Sequence, residues 1–121
     1  MNKNEPEVHT MELSQPWFNL IAQGVKTIEG RPNDEKRQEV NEGDIIIFTE
    51  KHNPQNKIMT MIIERKDFVS FEQALKFAKL KNILPGFRTI NEGLEKVYYS
   101  IPGYIDKEKK YGVVLFYLQL L

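Results

Sequence analysis

Cysteine is absent from the 121 residues. No disulfide framework and no thiolate zinc site can form, and a cytoplasmic home is the expectation. Histidine is nearly as scarce: His9 and His52 are the two in the chain, too far apart in sequence to read as a metal-ligand pair. No apolar run approaches the ~18 residues of a membrane-crossing helix, so no membrane partner is expected. Met1 to Glu7 carries no apolar stretch behind Lys3, which argues against a secretory signal. Neither sign of charge is in excess, since 17 Lys plus Arg balance 17 Asp plus Glu. That balance removes the whole-domain basic surplus typical of nucleic-acid binders and leaves only a local patch. What remains is ordinary for a folded domain, with 40% hydrophobic and 28% charged residues in a length that suits one domain.

The pattern predicts a loose start over residues 1–7 and one domain over 8–121. Glu7 to Leu13 alternates as a short strand. Pro16 in a first turn, then Trp17, Leu20 and Ile21 on one stripe, mark a helix that Gly24 closes. Lys26 to Arg31 reads as a strand, with Thr27, Glu29 and Arg31 on one side and Ile28 on the other. Pro32 to Glu42 is polar and reads as a loop. Ile45 to Thr49 is a central strand, Lys51 to Lys57 a hairpin loop, and Ile58 to Ile63 the returning strand, with an extension to Phe68 left open. Ser70 and Thr89 open capping boxes. They start a helix ending near Lys81 and another running through Ile90, Leu94, Val97, Tyr98 and Ile101. Asp106 to Lys110 is a charged loop, and Val113 to Leu121 is apolar enough to require docking inside a sheet. The expected fold is α+β: a small β-barrel of about five or six strands with three short helices over its mouths.

The densest polar cluster is Lys26, Thr27, Glu29 and Arg31. Glu29 and Arg31 are two apart on one strand, so they share a face and can bracket a ligand or simply pair in solvent. Together the four offer a base, a hydroxyl and phosphate-geometry donors. Trp17 and Phe18 can stack on a base, although Trp17 also fits a core stripe. Of the adjacent Tyr98 and Tyr99, one is free to line a cleft. Arg65, Lys66, Lys107, Lys109 and Lys110 read as solvated faces or as part of a phosphate track. His9 alternates with Met11 and Leu13 and reads as a core-edge histidine rather than a base. The inventory calls for no metal and no cofactor, though carboxylates can hold Mg²⁺ through waters.

Gly24-x-Lys26-x-x-Glu29-x-Arg31 resembles the signature of the ASCH domain, a branch of the PUA-like superfamily. The similarity continues through Asn33 to Arg37, Gly43 to Phe48, Phe68 to Glu72, Leu84 to Gly86 and Tyr98 to Ser100, and ends in Lys110 to Val114. It covers about Val8 to Leu121. It implies a PUA-like barrel with a cleft beside the first helix that binds RNA, a nucleotide or a nucleoside. Lys26, Thr27, Glu29, Arg31, Trp17 and Tyr98 are the expected ligand-binding set. Small relatives resemble an N4-acetylcytidine amidohydrolase that uses a Lys and a Thr of this strand and a Glu from a later helical region. The resemblance therefore implies, as an alternative, a metal-independent hydrolase of modified nucleosides or a ribonuclease, with Lys26 and Glu29 catalytic. Glu29 stands where those relatives carry Thr, and Glu72 and Glu92 are the candidates for the distant Glu.

Overall fold

The computed structural model describes residues 5–121. The first residues of the expected loose segment 1–7 lie outside that range. Within it, the Glu7 amide donates to Asp44 Oδ1 at 3.1 Å. Five strands form one curled sheet in the order β1-β3-β4-β5-β2: β1 (Val8–Leu13), β2 (Ile28–Pro32), β3 (Ile45–Glu50), β4 (Asn53–Phe68) and β5 (Val113–Leu120). β1 runs parallel to β3, and the other neighbours are antiparallel.

β4 passes through the expected Ile58–Ile63 segment and takes the longer course to Phe68 that the sequence left open; it begins at Asn53 and so absorbs most of the expected hairpin loop. A register shift between Ile62 and Glu64 bends it. An extra residue at such a bulge sharpens strand twist, so one strand can pair with β3 through its first half and with β5 through its second. The sheet curls accordingly but stays open. β1 and β2 are its edges and exchange no backbone ladder. The curled, barrel-like sheet expected is therefore an open half-barrel. One contact spans the seam: Arg31 on β2 donates from Nη2 to the Glu12 carbonyl on β1 at 2.8 Å.

The two faces of the sheet feed two cores. Met11, Ile46, Phe48, Ile58, Ile62, Val114, Phe116 and Leu118 fill the first, capped by Phe18 and Ile21 from α1 (Trp17–Ala22). Ile28, Val113 and Leu115 face the second, which α3 (Phe71–Phe77), α4 (Leu80–Ile83) and α5 (Ile90–Lys96) cover with Phe71, Leu75, Ile83 and Leu94. The described residues hold six α-helices, not three. α2 (Glu35–Gln38) is one turn inside the expected Pro32–Glu42 loop, capped by Asp34, whose side chain accepts from the Arg37 amide. The helix expected to reach Lys81 breaks at Ala78, where ψ turns to 144°, and restarts as α4. The next expected helix ends at Val97 and passes into a 3₁₀ turn, Tyr98–Ser100. The expected charged loop at Asp106–Lys110 is α6 (Tyr104–Tyr111), with Asp106, Lys107, Lys109 and Lys110 exposed and Glu108 turned inward to accept from the Phe71 amide at 2.7 Å.

β5 lies between β4 and β2, and Val113 to Phe116 are fully buried. Unfolding of this stretch breaks ladders on both sides at once. We expect its amides to exchange among the slowest in the protein, at the free energy of global unfolding. Rapid exchange there, measured by mass spectrometry, would show that the sheet opens locally.

Candidate functional site

α1 ends at Gly24, whose φ of +75° suits glycine, and the amides of Val25 and Lys26 both return to the Leu20 carbonyl at 3.0 Å. That tight exit turns the Lys26 side chain inward. The last turn of α4 meets it: Thr27 donates its amide to the Asn82 carbonyl at 2.9 Å, and Lys26 Nζ donates to the Ile83 carbonyl. Helix C-termini leave such carbonyls without intrahelical partners, and a cation there is favourable. Lys26 Nζ also donates to the Ile28 carbonyl at 2.6 Å and lies 3.3 Å from Glu29 Oε1. An ammonium has three hydrogens. All three of Lys26 are committed to protein acceptors.

On β2 the expected alternation holds for two residues. Glu29 and Arg31 pair in register with Phe116 and Val114 and so share the face of the first core. Arg31 Nε donates to Glu29 Oε2 at 2.7 Å. The resulting Lys26–Glu29–Arg31 triad is 2%, 7% and 8% exposed, and is not the solvated pair that composition alone allows. Thr27 precedes the strand, is exposed, and does not join them.

Burial would raise the Glu29 carboxyl, but Arg31 and Lys26 together hold it below the ordinary range, so it is ionised. Burial pulls Lys26 below the ordinary lysine range against the attraction of Glu29. Arg31 is raised: burial opposes its charge and Glu29 outweighs burial.

The triad opens on a cleft of about 210 Å³. Its walls include Trp17, Leu84, Tyr98, Ile101 and Tyr104, with Glu12, Ser14 and Lys51 at the seam side. Lys26 Nζ sits 5.6 Å from the Trp17 ring centroid, and Trp17 packs at 5.9 Å against Phe87. Phe18, the other stacking candidate, is buried in the first core. Tyr98 stacks on Phe71 with centroids 4.1 Å apart. Its hydroxyl is buried and has no hydrogen-bond partner among the described residues. Burial pushes that hydroxyl well above its ordinary pKa, so it is a neutral O–H. Among the described residues Arg31 Nη1 also makes no hydrogen bond, although Nε and Nη2 both do.

Other candidates fall elsewhere. Tyr99 donates to Glu108 at 3.0 Å, and burial with that carboxylate raises it to about 12. Glu72 pairs with Lys76, and Glu92 accepts from the Arg88 amide; neither lines the cleft. Arg65 holds loop carbonyls of Arg37 and Val40, which removes it from a phosphate track. His9 meets Asp44 Oδ2 at 2.9 Å, tying β1 to the turn before β3. Sequence reasoning missed Lys51 and Tyr104, which reach the cleft from segments far from the signature. Lys51 comes from the end of β3, with its amide on the Leu13 carbonyl, and Tyr104 from α6, stacked on Phe71 at 5.9 Å.

Three comparisons bear on the whole chain. The family model for the ASCH domain matches residues 11–121. The crystal structure of hypothetical protein PH0355 shares 33% identity, covers 94% of this chain and 99% of its own, and superposes with a TM-score of 0.82. The solution NMR structure of protein PF0455 from Pyrococcus furiosus shares 32% identity over 94% of this chain and 97% of its own, with a TM-score of 0.70. No curated protein matches the chain.

Proposed function

The chain belongs to the ASCH domain family, and from that premise and the geometry of the cleft we propose that it binds single-stranded RNA or a nucleotide, seating one base beside the Lys26–Glu29–Arg31 triad. The observation that carries this reading is the triad itself, buried yet opening on an aromatic wall. Burying three ionised groups is expensive, and well-packed apolar residues of like volume often serve stability as well or better. Charges held at that cost in a cleft mark a functional site. The cleft volume of about 210 Å³ is below the roughly 300–1,000 Å³ of sites for drug-sized ligands, which favours one ring system over an extended ligand. Trp17 supplies a stacking face, Arg31 Nη1 a free planar donor, and exposed Lys51 a cation for a phosphate at the rim. Among the described residues no helix is long and apolar enough to cross a membrane; we place the activity in the cytoplasm on the absence of Cys.

The hydrolase reading draws on the downward pull of burial on Lys26, which brings a neutral amine closer to reach. Against it stands the commitment of all three Lys26 hydrogens, which leaves no lone pair to accept a proton until a backbone contact breaks. Titration of a fluorescent single-stranded RNA tests the binding reading. We expect modest affinity that falls with salt, since a neutral domain gains little long-range attraction. Lys51→Ala should weaken binding several-fold and reduce the salt slope by about 0.7, the value of one single-strand phosphate contact. Unchanged binding would move the interface off this cleft. Incubation with N4-acetylcytidine and short RNA should give no turnover by wild type or Glu29→Thr; deacetylation by either restores the amidohydrolase reading.

A further inference from the structure

The polar groups of the cleft differ in what they still offer. Arg31 keeps Nη1, a donor with no acceptor capacity. Beside it, each Glu29 oxygen accepts from one protein cation and retains lone-pair capacity for another donor. The third group is the Tyr98 hydroxyl. Tyr98 is 4% exposed and its oxygen meets no partner among the described residues, a rarity that calls for a physical explanation. Gly30 makes its position possible. A Cβ there would lie 3.2 Å from the Tyr98 oxygen and 3.1 Å from Leu115 Cδ2, so the bare strand lets the hydroxyl reach the cleft floor. A donor, an acceptor and an adaptable hydroxyl thus converge on one cleft.

We propose that the cleft recognises the lactam edge of a nucleobase, the ring N–H adjacent to a ring carbonyl found in uracil and guanine; this rests on the base-binding reading above. The carbonyl oxygen accepts from Arg31 Nη1 and the ring N–H donates to Glu29. The Tyr98 hydroxyl serves the next position, donating to the second carbonyl of uracil or accepting from the exocyclic amine of guanine. Cytosine and adenine have no ring N–H on that edge. They set a ring nitrogen lone pair against the Glu29 carboxylate, or an amine against Arg31, and either pairing repels. An acylated cytosine does not restore the match. Its ring still lacks the N–H, and an open secondary amide prefers the trans form, with N–H and C=O pointing to opposite sides.

The test is NMR titration of the full chain with the 5′-monophosphates of uridine, guanosine and cytidine, and with N4-acetylcytidine. Uridine and guanosine monophosphates should shift the amides of Glu29, Gly30 and Arg31. Cytidine monophosphate and N4-acetylcytidine should bind at least about tenfold more weakly, the scale of one mismatched base edge. Tyr98→Phe keeps the ring on Phe71 and should weaken uridine and guanosine monophosphates severalfold while leaving cytidine monophosphate unchanged. Equal binding of all four ligands at the cleft would overturn the lactam assignment and leave base binding standing. RNA binding with no shift at Glu29, Gly30 or Arg31 would overturn both.

Discussion

Glu29→Ala is expected to destabilise the protein by about 3–5 kcal/mol, the cost of leaving buried cations without their anion. The carboxylate sits between Lys26 at 3.3 Å and Arg31 at 2.7 Å, and among the described residues neither cation has another carboxylate within ion-pair reach. Losing it sets two positive charges against each other in a site of low solvent exposure. Against a typical total stability of roughly 5–15 kcal/mol, the variant keeps little margin. Glu29→Gln separates charge from shape: its amide oxygen satisfies one cation and its amide NH₂ faces the other. The pH dependence follows from the direction of the Glu29 shift. Its folded value lies below the ordinary 4.5, so the unfolded state takes up its proton first as pH falls. The stabilisation is therefore complete above the unfolded value and is lost as pH drops through the folded one. Chemical denaturation from pH 7 to pH 3 should show the gap between wild type and Glu29→Gln narrowing below about pH 4.5. A gap that is small at pH 7 would mean that solvent, rather than the protein, bears these charges.

That Glu29 and Arg31 share one strand face was readable from their spacing, because strand side chains alternate whatever lies around them. The burial of the triad was not. Burial depends on α4 docking over residues 26–27 and on β1 closing within reach of Arg31, both long-range events with no local mark in the sequence. β5 was legible for the opposite reason: a run of Val113 to Leu118 has no stable place except inside a sheet. The helices show a third case. The Ser70 and Thr89 caps are local hydrogen bonds, and both form as the spacing implies. Where those helices stop was hidden, because Ala78 and Val97 carry no breaker and turn only to pack the next segment on the sheet. α6 was hidden by its own charges, which mark a solvated helix face as readily as a loop. Lys51 and Tyr104 belong to the first kind, since only the folded chain brings the end of β3 and α6 to the cleft that Lys26 also lines.

Lys26→Ala and Lys26→Met separate a load-carrying lysine from a chemically acting one. Alanine removes the stem beside Trp17, leaves the Ile28 and Ile83 carbonyls unpartnered, and strips Glu29 of one cation. The expected loss is about 3–5 kcal/mol, comparable to that of Glu29→Ala, since the same buried pair is broken. Methionine refills most of the volume but leaves both carbonyls dry, at roughly 1–3 kcal/mol for each group left unsatisfied. It should therefore be more stable than Lys26→Ala and less stable than wild type. Lys26 has a folded value below the ordinary 10.5, so between the two values the unfolded chain holds the proton that the folded chain has released. Stability of the wild type relative to Lys26→Met should rise across that window as pH increases. If Lys26 only anchors β2 to α4, Lys26→Met keeps the cleft and retains uridine monophosphate binding within severalfold at a temperature where it stays folded. Loss of binding by a folded Lys26→Met, with shifts at Arg31 abolished, would instead place the ammonium on the ligand and require that it leave a backbone carbonyl to get there.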